Sequence, residues 1–183
     1  MLKLGLGALL AAVAMFLWGF FFWGSKLIDH FGHVSPEAET ALTEALKANL
    51  TADAVYVLPD YKNGTEEEVM ARASAGPIAL INFHAAGTPP MATTLAMGFV
   101  HMLITTAILA FFVQLTLPAA PAYMDRVKLV AVFGAAAAIY AQLGNPIWWH
   151  YPWAFSASGA LYDFVSYVLA GLILAYFITP AKA

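Results

Sequence analysis

Asp163 is the only acid inside a long apolar run of this chain, SGALYDFVSYVLAGLILAYF at residues 158–177. An ionisable group in lipid is costly unless it is paired, wetted or neutralised, so it marks a site by default and requires a partner. His101, inside the run that begins after Pro89-Pro90, is the candidate. Each of the two lies about ten positions into its run, which at ~1.5 Å per helical residue puts both about 15 Å below the helix start. Thr105, Ser166, Tyr167 and Gln142 fall at helical spacing on the faces that would surround them. Such a set can take a proton, an ion, or a lipid or quinone head group. It can equally be an interhelical hydrogen bond that sets register. One buried histidine supplies one haem ligand, so a bis-histidine cytochrome is not expected. Met97 four residues before His101 is a faint copper signal, since methionine in a helix is usually filler.

Other chemistry is thinly represented. His30, His33, His84 and His150 all fall on one side of the expected topology, and neutral imidazole suits zinc or copper. No two of them form a ligand motif, so a metal is not the expected cofactor; a bound lipid is compatible with the chain. There is no G-x-S-x-G elbow, P-loop or H-E-x-x-H. With no cysteine, thiolate sites and disulfides are excluded. Whether the chain is an enzyme stays open, with a non-catalytic role the expected one.

The elements that must hold Asp163 and His101 follow from composition. The chain is 62% hydrophobic and 10% charged, where soluble domains carry about a quarter charged residues. Its mean hydropathy of +0.74 places it in the membrane class. Runs at about 4–23, 91–117, 127–143 and 153–178 meet or approach the ~20 residues that cross a bilayer. The third is the shortest and richest in alanine. The first carries Trp18, Phe20, Phe21, Phe22 and Trp23 where a signal peptide needs small residues, so it is expected to be retained. Lys3, Arg126, Lys128 and Lys182 fall on one side, which places both termini in the cytoplasm by the positive-inside rule. Trp148, Trp149, Tyr151 and Trp153 then form an outer aromatic anchor, with a docking surface as the alternative. The net charge of −3 argues against a nucleic-acid partner.

The water-exposed block runs from about 29 to 90, between a first span at 1–28 and the remaining spans at 91–183. Ser35-Pro36-Glu37 predicts a capped helix start. Thr65 with Glu68 predicts a capping box and a second helix over about 66–74. Residues 54–58 (AVYVL) and 78–83 (IALINF) read as strands, and a strand–helix–strand order favours a parallel pair. The expected fold is an all-α membrane bundle of four transmembrane helices, with a small α/β extracytoplasmic insertion between helices 1 and 2.

LGALLAAVAMFLWGF, AVYVLPD, GPIALINFH and YPWAFSASGALYDFVSYVLAGLILAYF together resemble a family of small four-span bacterial inner-membrane proteins with no established activity. The resemblance covers most of the chain. It implies an extracytoplasmic insertion after the first span and an aspartate in the last span at the position of Asp163. The expected role is a non-catalytic accessory or scaffold subunit of a larger membrane complex, or a homo-oligomer, in the bacterial inner membrane. The alternatives are a small-ligand, lipid, quinone or ion site at His101 and Asp163, and, more weakly, an outer-face metal protein.

Overall fold

The computed structural model describes residues 2–25 and 31–180. His30 of the outer histidines and Lys182 of the basic residues that set orientation lie outside the described residues. The elements run α1 (Leu2–Gly24), α2 (Pro36–Asn49), β1 (Ala54–Leu58), α3 (Glu66–Ala75), β2 (Ala79–Phe83), α4 (Met91–Thr116), α5 (Tyr123–Trp148) and α6 (Trp153–Phe177). The chain is mostly helical, at 71%. It divides into two units, Met1–Phe31 with Met91–Ala183, and Gly32–Pro90.

In the first unit, α1, α4, α5 and α6 are each long and apolar enough to cross a membrane. No more than 28% of any of these apolar stretches is buried within the protein. Leu17, Ile104, Ile108, Phe111, Leu115, Val132 and Ile139 face outward. Water does not tolerate apolar surface on that scale, whereas lipid does. The helices alternate in direction. α5 packs on α6, α6 on α1, and α1 on α4, while α4 and α5 touch little.

Small residues set the close approaches. A Cβ on Gly134 of α5 would lie 2.2 Å from Cβ of Tyr167, and one on Gly171 of α6 would lie 3.1 Å from Cβ of Val130. The helix backbones therefore meet where glycine removes the side chain. The main core gathers Ala8, Ala11, Leu109, Ala110, Val113, Val130, Ala170 and Leu174. All of these lie toward the end that holds the α4–α5 turn.

Arg126 closes that end. It is 3% exposed. Its guanidinium donates to the carbonyls of Ala120 (3.2 Å) and Pro121, just past the end of α4, and of Ala175 (3.0 Å) in the last turn of α6. Helix ends leave carbonyls without backbone donors and carry partial negative charge, so a cation there is favoured. Sequence reasoning counts Arg126 only as a positive-inside charge; the structure folds it inward.

The third span is longer than the 127–143 expected. It begins at Tyr123, because Asp125 and Lys128 stay at the exposed surface while Arg126 is satisfied internally. It passes through Pro146 to Trp148. A proline there removes one hydrogen bond near the helix end, where few remain to be lost. Gly134 and Ala138 are buried on the inner face of this span, whereas Tyr140 is 89% exposed. It stands two residues from Ala138, about 200° around the helix.

In the second unit, Ser35 caps α2 by accepting from the Ala38 amide at 3.2 Å. Thr65 and Glu68 form the reciprocal capping box on α3. The strands pair antiparallel, with Ala54 opposite Phe83 and Leu58 opposite Ala79. This corrects the parallel expectation. A parallel crossover usually needs a dozen or more residues to carry the chain back along the strand. Here loop 59–65 and the ten-residue α3 form an out-and-back excursion that ends beside the strand just left.

Candidate functional site

The site is built first along the α5–α6 seam. Gly159 lies one turn before Asp163, and a Cβ there would come 2.8 Å from Oε1 of Gln142. Glycine at this point lets Gln142 lie across α6. Its Nε2 donates to Oδ2 of Asp163 at 2.8 Å. α1 enters next: Trp18 Nε1 donates to the Tyr162 carbonyl at 3.2 Å, and its ring stacks with that of Tyr162 at 6.5 Å. Ser166 Oγ donates to the same carbonyl at 2.8 Å. Asp163 is thus held at its carboxyl from α5 and at the preceding carbonyl from α1.

In front of the carboxyl lies an open cavity of about 190 Å³. α6 lines it with Tyr162, Asp163, Ser166 and Tyr167, and α4 with His101, Met102 and Thr105. Ala137 and Ala141 of α5 and Met15 of α1 complete it. At ~30 Å³ per water that space takes a few waters or a compact head group. The two ionisable residues read from the sequence therefore border one space. The expected direct pair is replaced, however: the hydrogen-bond partner of Asp163 is Gln142. Buried face positions on α4 begin at Thr106, one residue on from Thr105, so His101 sits at the edge of the helix contact and remains exposed. Thr105 Oγ1 donates to the His101 carbonyl at 3.0 Å. Among the described residues, no lysine or arginine pairs with Asp163.

No known family, curated protein or solved structure matches this chain. The site offers a carboxylate acceptor, a hydroxyl on Tyr167 and an imidazole on His101 around one small space. That set can hold a polar group by hydrogen bonds.

The other sequence candidates are dispersed. Among the described residues, no three His, Asp or Glu side chains gather into a metal-sized group. His30 lies outside the described residues, His33 and His84 belong to the second unit, and His150 to the first. His150 occupies the α5–α6 turn at φ 56°. Of the aromatic anchor, Trp148, Trp149 and Trp153 are exposed, while Tyr151 packs on Phe155 at 6.3 Å. Sequence reasoning missed Tyr162, Met102, Ala137 and Ala141 as lining residues. Only Tyr162, adjacent to Asp163, carried a usable signal.

His84 has a structural partner. Its Nδ1 pairs with Oδ2 of Asp53, and Oδ1 of Asp53 accepts the Ala85 amide at 2.8 Å. The antiparallel register brings the residue before β1 beside those after β2. The Ala85 amide, with His84 adding to it, holds the Asp53 carboxyl below its ordinary value of 3.8. A depressed folded value means that this clamp stabilises fully above the unfolded value and is lost as pH falls through the folded one. A carboxyl-carbon NMR titration of the full chain should place the Asp53 midpoint below 3.8, with the Ala85 amide shift following it. A midpoint at or above that value would show that the clamp does not form.

Proposed function

We propose that this chain is a multi-pass membrane protein that binds a small polar ligand or head group between its spans, with Asp163 as the principal acceptor. The observation that carries this reading is the cavity of about 190 Å³ bordered by Asp163, Tyr167 and His101. Gln142 positions the carboxyl by engaging one oxygen, and the other is the acceptor assigned to the ligand. The role proposed for the site is to hold and orient that ligand. The distribution of lysine and arginine supports a bacterial inner-membrane setting with cytoplasmic termini and residues 32–90 outside.

The test is native mass spectrometry on protein taken from its own membrane into polymer-bounded lipid discs. A bound small molecule is expected on the wild type and is lost in Asp163→Asn, with thermal stability unchanged. Retention of the same adduct by a folded Asp163→Asn protein would make the carboxylate a helix clamp and nothing more.

A second reading, an accessory or scaffold subunit, has its own support. Val69 is the only buried residue among those of the second unit, while Leu42, Val55, Leu58, Met70 and Ile78 are exposed. A block of this size has a marginal core by itself. The same preparation should carry a second chain or a second copy. A monodisperse monomer without a partner removes this role and leaves the binding role intact.

A further inference from the structure

We infer that the cavity is reached sideways from the lipid, through a gap between α4 and α5, and that its ligand is a membrane-resident amphiphile whose head group donates hydrogen bonds. This deepens the binding role proposed above and rests on it. Four helices in a ring have four seams, and three of them are packed: α5 on α6, α6 on α1, α1 on α4. The α4–α5 seam is joined toward one end, where Phe112 meets Phe133 at 5.6 Å beside buried Val113 and Val130. Tyr167 packs edge-on against Phe133 at 5.8 Å, which floors the space above. Farther toward the α5–α6 turn, α5 presents Ala137 and Ala141 to the cavity where α4 presents His101 and Thr105. Alanine is too short to reach across, so the seam stays unfilled.

The surroundings of this gap are apolar. Ile104 and Ile108 on α4 are more than half exposed, and on α5 the exposed residues flanking the Ala137–Ala141 face are Phe133 and Tyr140. His101 lies about 15 Å along α4 from its start, at ~1.5 Å per residue, which is hydrocarbon depth and not the water surface. A molecule at the gap therefore arrives with its chain in lipid and its head turned inward. The head meets the second oxygen of Asp163, which has no hydrogen-bond partner among the described residues, because Gln142 engages only Oδ2. An alcohol or protonated amine satisfies that acceptor. The carboxylate of a fatty acid brings no donor to that oxygen and is disfavoured.

The chain has no cysteine, so a single introduced one takes a label uniquely. An environment-sensitive fluorophore on Ala137→Cys, in bilayers brominated along the acyl chain, should be quenched as strongly as on lipid-facing Val132→Cys. A label on Thr40→Cys, on the exposed face of α2, should not be quenched. Quenching of the Ala137 label by aqueous iodide alone would overturn the lateral route. In parallel, a diazirine-bearing long-chain alcohol should label α4–α6 peptides about tenfold more than the acid of the same chain, because the ionised acid has no hydrogen-bond donor for the Asp163 oxygen. Asp163→Asn should abolish most of that preference. Equal labelling by alcohol and acid in the wild type would overturn the ligand class. If quenching fails while the native adduct persists, the binding role survives and the route does not. If the adduct is absent from a folded wild type, the binding role itself falls.

Discussion

Arg126→Met should destabilise the helical unit by about 2–4 kcal/mol, given ~1.5–3 kcal/mol for each hydrogen bond to a charged group and partial replacement by interfacial water. The side chain is buried and joins the carbonyls of Ala120, Pro121 and Ala175, so its loss leaves three acceptors without their donor. One effect opposes the loss. Arg126 Nε is itself buried without a partner, and methionine removes that orphan. The acceptors outnumber it, which fixes the sign. Arg126→Lys should recover only part of the stability, because an ammonium cannot fork across carbonyls from two helix ends. Equilibrium unfolding in mixed micelles measures both variants. A methionine variant as stable as the wild type would mean that the guanidinium merely occupies the space.

Gly134→Ala should cost about as much, at the upper end of the ~1–3 kcal/mol typical of overpacking, or more. The new Cβ would stand 2.2 Å from Cβ of Tyr167, so α5 and α6 have to separate. The same seam carries Gln142 over Gly159 and Val130 against Gly171. A shift at Gly134 therefore also draws Gln142 away from Asp163, and ligand binding should fall together with stability. Trimming Tyr167 to alanine should not rescue the variant, because the collision is Cβ on Cβ. Gly144→Ala is the matched control. Its nearest neighbour would be Trp148 Cδ1 at 3.8 Å, so it should be neutral or stabilising, by up to ~1 kcal/mol for alanine over glycine inside a helix. If both alanine variants behave alike, the seam is not held by glycine contact.

The parts of this fold that depend on neighbours in sequence were legible without coordinates. The Thr65–Glu68 box and the Ser35 cap are local hydrogen bonds, made within one helical turn. Spans α1, α4 and α6 begin and end within about two residues of where their apolar runs do, because the length of a run against a membrane is a one-dimensional quantity. The third span failed at both ends for a three-dimensional reason: Arg126 finds carbonyls on other elements, and Pro146 falls where the helix has little left to lose.

The site divides along the same line. Sequence alone determined that Asp163 is an isolated acid in an apolar run and that His101 lies at matching depth, since depth is counted along a helix. Tertiary structure decided what each side chain touches. Azimuth and interhelical spacing depend on which small residues meet: Gly159 admits Gln142 to the carboxylate, the short alanines of α5 leave the α4 seam open, and His101 lines the cavity from its edge. The direction of the two strands was likewise settled by the path of loop 59–65 and α3, which no periodicity records. A partner is chosen by packing, and packing is a property of several helices at once.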